Sequence, residues 1–599
     1  MSERIAGIDL GTTNSEIAVF VDGEVRVLGP AGNPILPSCV GFSPNGELLV
    51  GEAARNQHKL YPERTVRSIK RKMGSAESVC LGDRTFSPQE ISALILRELV
   101  EWAHARVGWR PEKAVITVPA YFSDSQRNAT REAGALAGLE VVRILNEPTA
   151  ASLAYGYGDG SRHTAMIYDL GGGTFDVSIV TVEGEVTEVL ASHGNNHLGG
   201  DDFDDLLAER LAREFQQRHG IDLRQGHASA KARLWWAAEE AKKRLSSEAY
   251  AKVREEALAF DNGRPLHLDF ELSREEYEGM VRPLIESTFD SVSKALQDSG
   301  KRPGDLDAIL LVGGSTRTPL VSRLLRQHCD LEPRQDVHPD LCVALGAGVL
   351  ASRLAGHSVE RVLVDVSPYS FGVSYLGRRG GVEYPHCYKP IIHRNTPLPL
   401  TRTERYYTAH PYQDAVDVSV FQGEDDDALK NIPVGDFRIE GLTEVAEGNE
   451  VLCRMRLDVD GILEVTAIEK RSGKSRQITI ANAMRPKNPE EIREAQARLR
   501  ELYSPREHEP EAEFEATAEE PGGDPEPVAD DARAALEMEG RPLMERSRKL
   551  LDSMHPDDKE ETIDLHERMD LAAAAGDTQA FQEAANKLRE LLFFVEGKE

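Results

Sequence analysis

The chain has 599 residues, 40% of them hydrophobic, and carries a formal net charge of −30. So long a chain exceeds what one core can organise and implies roughly three to five domains or subdomains. The acidic balance argues against a nucleic-acid or membrane-surface binder, because neutralising phosphate needs clustered Lys and Arg, and it favours basic partners.

Six cysteines, Cys39, Cys80, Cys329, Cys342, Cys387 and Cys453, are scattered with no CxxC spacing. That suits reduced thiols in a cytosolic protein and gives them no metal or disulfide role. The N-terminal MSERIAGIDL runs into a strand without a basic or cleavage region, and no apolar run of about 18 residues follows. A soluble, cytoplasmic protein is expected.

Residues 5–18 read IAGIDLGTTNSEIA, and about 160 positions later residues 165–179 read AMIYDLGGGTFDVSI. Each stretch predicts a buried strand that turns on glycine and returns as a second strand. Such a turn offers backbone N–H groups to phosphate, while Asp9 and Asp169 face the same gap, where a hydrated magnesium ion offsets their repulsion. A third glycine turn, LLVGGSTRTPLV from Leu310, suits the nucleoside end. One glycine-rich hairpin would be ordinary structure; two at domain spacing, with Asp at the same offset, point to a nucleotide clamped between related lobes. No GxxxxGK[ST] loop occurs.

Strands and helices alternate through residues 1–357, as in an α/β domain. Apolar spacing predicts a helix over 88–107, a buried strand from Lys113 broken by Pro119, a helix over 125–137 and a strand over 141–145. Charged helices follow over 206–215, 228–245 and 274–299, then a turn and helix over 312–325. LCVALGAGVLASRL from Leu341 is a small-residue helix able to pack closely beneath a nucleotide. Residues 358–365 read as a linker, within a segment that could alternatively form a core strand. Residues 366–484 change to alternating strands and turns, an all-β sandwich domain. Helical periodicity returns over 485–503. Residues 504–531 hold eleven acidic residues, one Arg and five Pro and predict a disordered tether. Three helices are expected over 532–599.

Seven motifs occur in order: GIDLGTTNS, VITVPAYFSDSQR, RILNEPTAASLAYG, DLGGGTFDVS, HLGGDDFD, LVGGSTRTPLV and HPDLCVALGAG. Together they resemble the DnaK-type seventy-kilodalton heat-shock chaperones, whose ATPase domain has the two-lobed actin-like fold. The resemblance continues to about Ala483. It is closest to the HscC branch, since Lys70 and Pro119 stand only 49 positions apart.

The resemblance implies an ATP-dependent chaperone that binds extended hydrophobic segments of unfolded or client proteins, with ATP/ADP, magnesium and potassium as cofactors. A J-domain protein and a nucleotide exchange factor are its implied partners. In the catalytic set, Lys70 positions the attacking water, Thr174 binds the γ-phosphate, and Glu147 and Asp169 approach the metal's water shell. Asp9, Asp169 and Asp176 hold the metal. Gly11, Thr12, Thr13, Gly171, Gly172, Gly173, Gly199 and Gly200 form the phosphate loops. Glu239, Lys243, Ser246, Gly314, Ser315, Arg317 and Asp340 form the adenosine site, with Lys243 where the family often has Arg. Pro119 and Arg127 resemble an interlobe switch, and Arg143 with Asp365 the pair through which a J-domain protein and the linker reach the ATPase. Val373, Leu376, Tyr406, Ala409, Val416, Val418 and Ile462 match peptide-groove positions. The final helices resemble part of a lid, here on an acidic tether.

Two other readings compete. An ATP-gated holdase or exchange factor with little hydrolysis is disfavoured by the intact Lys70, Asp169 and Thr174. A kinase of the actin/sugar-kinase fold is disfavoured by the β domain after the linker.

Overall fold

Buried, β-branched runs set the framework of both lobes. The computed structural model describes residues 3–30, 33–155, 162–184, 186–334, 338–357, 362–472, 475–479 and 489–503, with nine further residues between 544 and 588. Strand Ile5–Leu10 is buried almost throughout and pairs antiparallel with Asn14–Val21 and parallel with Lys113–Val118. The first-lobe sheet runs Glu140–Asn146, Lys113–Val118, Ile5–Leu10, Asn14–Val21, Glu24–Leu28. The second lobe repeats this plan with Ala308–Val312, Arg162–Leu170, Phe175–Glu183 and Val186–Asn195. In each lobe a meander follows the glycine turn, and a parallel strand flanks the meander's first strand. A fifth, short strand, Val362–Val364 of the expected linker, pairs parallel with Val186–Asn195.

Helix Pro88–Val107 begins at a Ser87–Glu90 capping box and ends at Gly108. Helix Asp124–Ala137 starts likewise from Ser123 and Gln126. The first charged helix, expected over 206–215, spans Gly200–His219: Asp202 accepts the Gly199 N–H at 2.7 Å, capping a start that periodicity alone does not mark. Between helices Ala228–Ser247 and Arg274–Asp298 lies an antiparallel hairpin, Tyr250–Asp261 with Arg264–Ser273, for which the sequence reading had no element. Helix Cys342–Leu354 packs backbone against backbone: a Cβ on Gly7 would stand 2.1 Å from the Gly348 nitrogen, and one on Gly346 1.7 Å from the Ala150 carbonyl oxygen.

Beyond the linker two four-stranded antiparallel sheets face each other across a core that includes Val418, Val420, Phe437, Met455 and Val465. Helix Pro489–Tyr503 lies on the first lobe. Ala495, Leu499 and Tyr503 enter that lobe's core, and the Tyr503 hydroxyl donates to the Leu94 carbonyl at 2.7 Å.

The chain divides into two units, residues 1–508 and 509–599. The expected tether lies outside the described residues, as does most of 532–599. The described positions of the second unit are helical, and Leu565, Met569, Phe581, Ala584, Ala585 and Leu588 are buried. Among the described residues no helix is long and apolar enough to cross a membrane, and the six cysteines are free.

Candidate functional site

Both glycine turns open on one gap. A Cβ on Gly172 would stand 1.8 Å from Thr13 Oγ1, and one on Gly173 2.5 Å from Thr12 Cγ2, so the loops of the two lobes nearly touch and tolerate no side chain there. The second turn is tied to the following helix: the Gly200 and Asp201 N–H groups donate to the Gly171 and Gly172 carbonyls at 2.9 and 2.8 Å. Thr13 Oγ1 is buried with no hydrogen-bond partner among the described residues, an orphan polar atom at a glycine-lined loop.

Asp9 and Asp169 end equivalent strands and face the same cavity of about 80 Å³, which Lys70, Glu147 and Thr174 also line. The Thr117 hydroxyl donates to Asp9 at 2.8 Å. Lys70, buried, forms an ion pair with Glu147. Asp176 lies opposite Asp169 on the neighbouring strand and accepts the Tyr121 N–H at 3.1 Å. Burial drives these carboxyls upward: Glu147 to about 7 and Asp176 to about 8, with Asp9 and Asp169 also raised. Lys70 opposes the rise of each, and mutual repulsion adds to it at Glu147, Asp169 and Asp176. Glu16, which no motif assigned, also lines the cavity and is raised well above its ordinary value by burial, Asp9 and Asp340.

Among the described residues no three His, Cys, Asp or Glu side chains already stand as a metal-binding cluster. The set nevertheless fits a magnesium-nucleotide: paired carboxylates for a hydrated hard cation, and hydroxyls with glycine backbone for phosphate. Bound there, a metal would neutralise phosphate charge, while this chain's own groups would orient the nucleotide and a water.

Gly11, Gly171, Gly314 and Asp340 border the same cavity. Gly199 packs on Gly172, and Ser315 donates to the Gly171 carbonyl at 2.9 Å. Arg317 is held by Asp340 at 2.8 Å. Glu239 and Lys243 line an adjoining recess of about 30 Å³ with Thr12 and Thr13. Lys243 pairs with Glu239 at 3.2 Å, and Arg55 reaches the same carboxylate from the other lobe at 2.7 Å. Ser246 borders neither space; its hydroxyl donates to the Lys242 carbonyl.

Two of the expected interdomain residues, Arg127 and Arg143, meet the β domain. Pro119 follows strand Lys113–Val118, and the Phe122 N–H donates to its carbonyl at 3.1 Å. Buried Arg127 donates to the Ala120 and Phe122 carbonyls, to Asn146 Oδ1 at 2.7 Å and to the Asp460 carbonyl at 3.2 Å. Arg143 and Asp365 are not bonded to each other. Arg143 stands 3.4 Å from the Asp460 carboxylate, whereas buried Asp365 accepts from Asn146 at 3.0 Å and Thr149 at 3.1 Å. Sequence reasoning missed Asp460 and Asp124, whose carboxylate accepts the Leu463 N–H at 2.8 Å. The Asp460–Gly461 turn was visible, but nothing local says that it faces another domain.

In the β domain Val373, Leu376, Tyr406, Ala409, Val416 and Val418 line one groove of about 960 Å³. Ile462 does not border it. It belongs to the turn that meets the first lobe, with its N–H on Asp458 at 2.9 Å. Val451, on the strand beside Tyr406, lines the groove and was not foreseen.

The family model described as Hsp70 protein matches residues 5–80 and 76–593. Chaperone protein DnaK of Thermotoga neapolitana is 45% identical over 487 residues, 80% of this chain and 80% of that protein. The proteins of the same name from Thermotoga petrophila and Thermotoga maritima are 45% identical over the same lengths. With two related lobes closing on a carboxylate-lined gap, a β sandwich carrying an open groove, and this match along most of its length, the chain belongs to the Hsp70 family of ATP-hydrolysing, ATP-dependent chaperones.

Proposed function

We propose that the cleft binds magnesium-ATP, with potassium as a further cation, and that hydrolysis there switches the affinity of the groove for extended apolar segments of client polypeptides. Lys70, Glu147, Asp169 and Thr174 carry the hydrolysis; Asp9 and Asp176 complete the metal set. The observation that carries the coupling is the chain of buried hydrogen bonds from the Asp460 carbonyl through Arg127 and Asn146 to Asp365 at the linker. Moving the linker strand alters partners that also hold the β domain. Arg143 and Asp365 serve a J-domain protein, and an exchange factor resets the nucleotide, in the cytoplasm. The domain limits of 357, 365 and 484 follow the same reading, as does kinship with the HscC branch.

Asp365→Ala tests it. Basal hydrolysis should stay within about twofold, whereas stimulation by peptide and by a J-domain protein is lost. Persisting stimulation defeats the coupling.

A further inference from the structure

Two adjacent tryptophans, Trp235 and Trp236 in RLWWAAEE, belong to helix Ala228–Ser247 of the second lobe, yet both are buried in a cluster with Cys39 and Ala54 of the first. Their indole N–H groups part company. Trp236 donates to His58 Nδ1 of the first lobe at 3.1 Å, and Trp235 donates to Asp205 at 2.8 Å. The Arg67 guanidinium, also from the first lobe, lies 3.5 Å from the centre of the Trp235 ring.

Beside Trp235 the lobes enclose a cavity of about 590 Å³, a size that suits a small organic ligand. His58, Pro62 and Arg67 form its first-lobe wall. On the second lobe Ala208 and Ala212 stand one turn apart on one helix, and Ala228 and Ala232 one turn apart on the next. These low walls leave room for a flat ring system. The cavity shares no lining residue with the one that holds Asp9 and Asp169.

Its acceptors are engaged, whereas two donors are not. Glu209 accepts from Arg213 at 3.0 Å and from Arg224 at 2.7 Å, and Asp205 already takes the Trp235 N–H. Because His58 Nδ1 accepts an indole proton, the neutral ring carries its own proton on Nε2. Burial and then the Arg67 charge hold this imidazole down to about 4, so it stays neutral. Neither that Nε2–H nor the Lys231 ammonium has a hydrogen-bond or ion-pair partner among the described residues, and both residues line the cavity. One donor comes from each lobe, and a carboxylate has an oxygen for each.

We propose that this cavity binds a small aromatic carboxylate, with its rings between the alanine walls and its acid group on His58 and Lys231, and that the bound acid ties the lobes together and slows nucleotide release. The site is complete only when the lobes are apposed, so its ligand favours that arrangement and supports whatever else the arrangement holds. The effect on release rests on the cleft binding nucleotide; the binding of the acid does not.

Calorimetric titration of the full chain with 2-naphthoate tests it, with 2-naphthamide as the uncharged twin. The wild type should bind one 2-naphthoate per chain and hold the amide about tenfold or more weakly, the scale of one charge-assisted hydrogen bond. Lys231→Glu, at an exposed position, should weaken 2-naphthoate about fivefold or more, and Ala208→Leu, which fills the space, should abolish binding. Release of a fluorescent ADP should slow about threefold or more with saturating 2-naphthoate in the wild type, and stay unchanged at the same concentration in Ala208→Leu. No binding, equal affinity for acid and amide, or binding that ignores both substitutions overturns the proposal. Unchanged ADP release with the acid bound overturns the tie between the lobes. Failure to bind ADP at all, with 2-naphthoate still bound, strikes the nucleotide-site reading and leaves the cavity's assignment standing.

Discussion

Deleting the Asp460 carboxylate probes the seam between ATPase and β domain at its most concentrated point. Asp460 is 5% exposed; its carboxylate accepts the Ile144 N–H at 3.0 Å, pairs with Arg131 and stands 3.4 Å from Arg143 Nε. Asp460→Ala removes all three and leaves the carbonyl bond from Arg127. A hydrogen bond to a charged acceptor nets about 1.5–3 kcal/mol. The pair with Arg131, whose side chain is 39% exposed, adds only about 0.2–1 kcal/mol after solvent screening. The expected loss is about 2–4 kcal/mol of docking, roughly 30- to 700-fold in the docked-to-undocked ratio. With the docked arrangement taken as the one that releases peptide, release of a fluorescent peptide after ATP addition should slow at least tenfold in stopped flow. Asp460→Asn keeps an acceptor for Ile144 and should fall between. Release within twofold of wild type for both folded variants would refute the reasoning.

Lys70→Ala should still bind ATP but lose tenfold or more in single-turnover hydrolysis, the scale of one lost electrostatic contact to the transition state; quenched-flow measurement of phosphate decides it. Burial lifts Asp124 from 3.8 to about 7, against the pull of Leu463 N–H and Arg127, while Asp458 pushes it further up. Because this folded value is raised, the docked protein retains a proton that a solvated carboxylate has released. Docking should therefore be strongest at low pH, weaken as pH rises between about 4 and about 7, and level off above. Peptide release with ATP from pH 5.5 to 8 should follow that slope, and Asp124→Asn should flatten it. In the groove, Val451→Asp should weaken peptide binding by tenfold or more in fluorescence anisotropy, whereas Ile462→Ala should leave the affinity of the ADP-bound protein within about threefold.

Local patterns made the framework readable. Helix Pro88–Val107 announces itself by the spacing of Ile91, Leu94, Ile95 and Leu99, and the paired DLG turns declare two lobes because the same Asp recurs at the same offset. The six groove residues came from the family resemblance, and the structure gathers them around one groove. What failed was information that lies between segments. The hairpin Tyr250–Asp261 with Arg264–Ser273 is charged on its exposed positions and breaks the alternation at a bulge, where register shifts between Glu255 and Ala259. Ile462 was placed by its match to the family's groove positions, yet a position in a matched turn does not tell a groove wall from an interdomain contact. Asp365 was named with Arg143 only through the resemblance; its hydrogen-bond partners, the neutral donors Asn146 and Thr149, are not marked by any single-sequence spacing.

Strand Val362–Val364 has only three rungs, from Val186 to Glu188 on its neighbour. So short an edge is held by few main-chain bonds and can peel away without disturbing the buried strands beside it. Once it leaves, the bare rim of the second-lobe sheet is itself a template for any extended chain, and the proposed function brings unfolded chains close by. Glu188 on that rim is the sort of charged edge residue that discourages foreign strands, so the departure of the chain's own strand need not recruit a client to the wrong place. In the proposed cycle the short strand is thus a guard as well as a signal: it shields the ATPase from the segments the groove would hold.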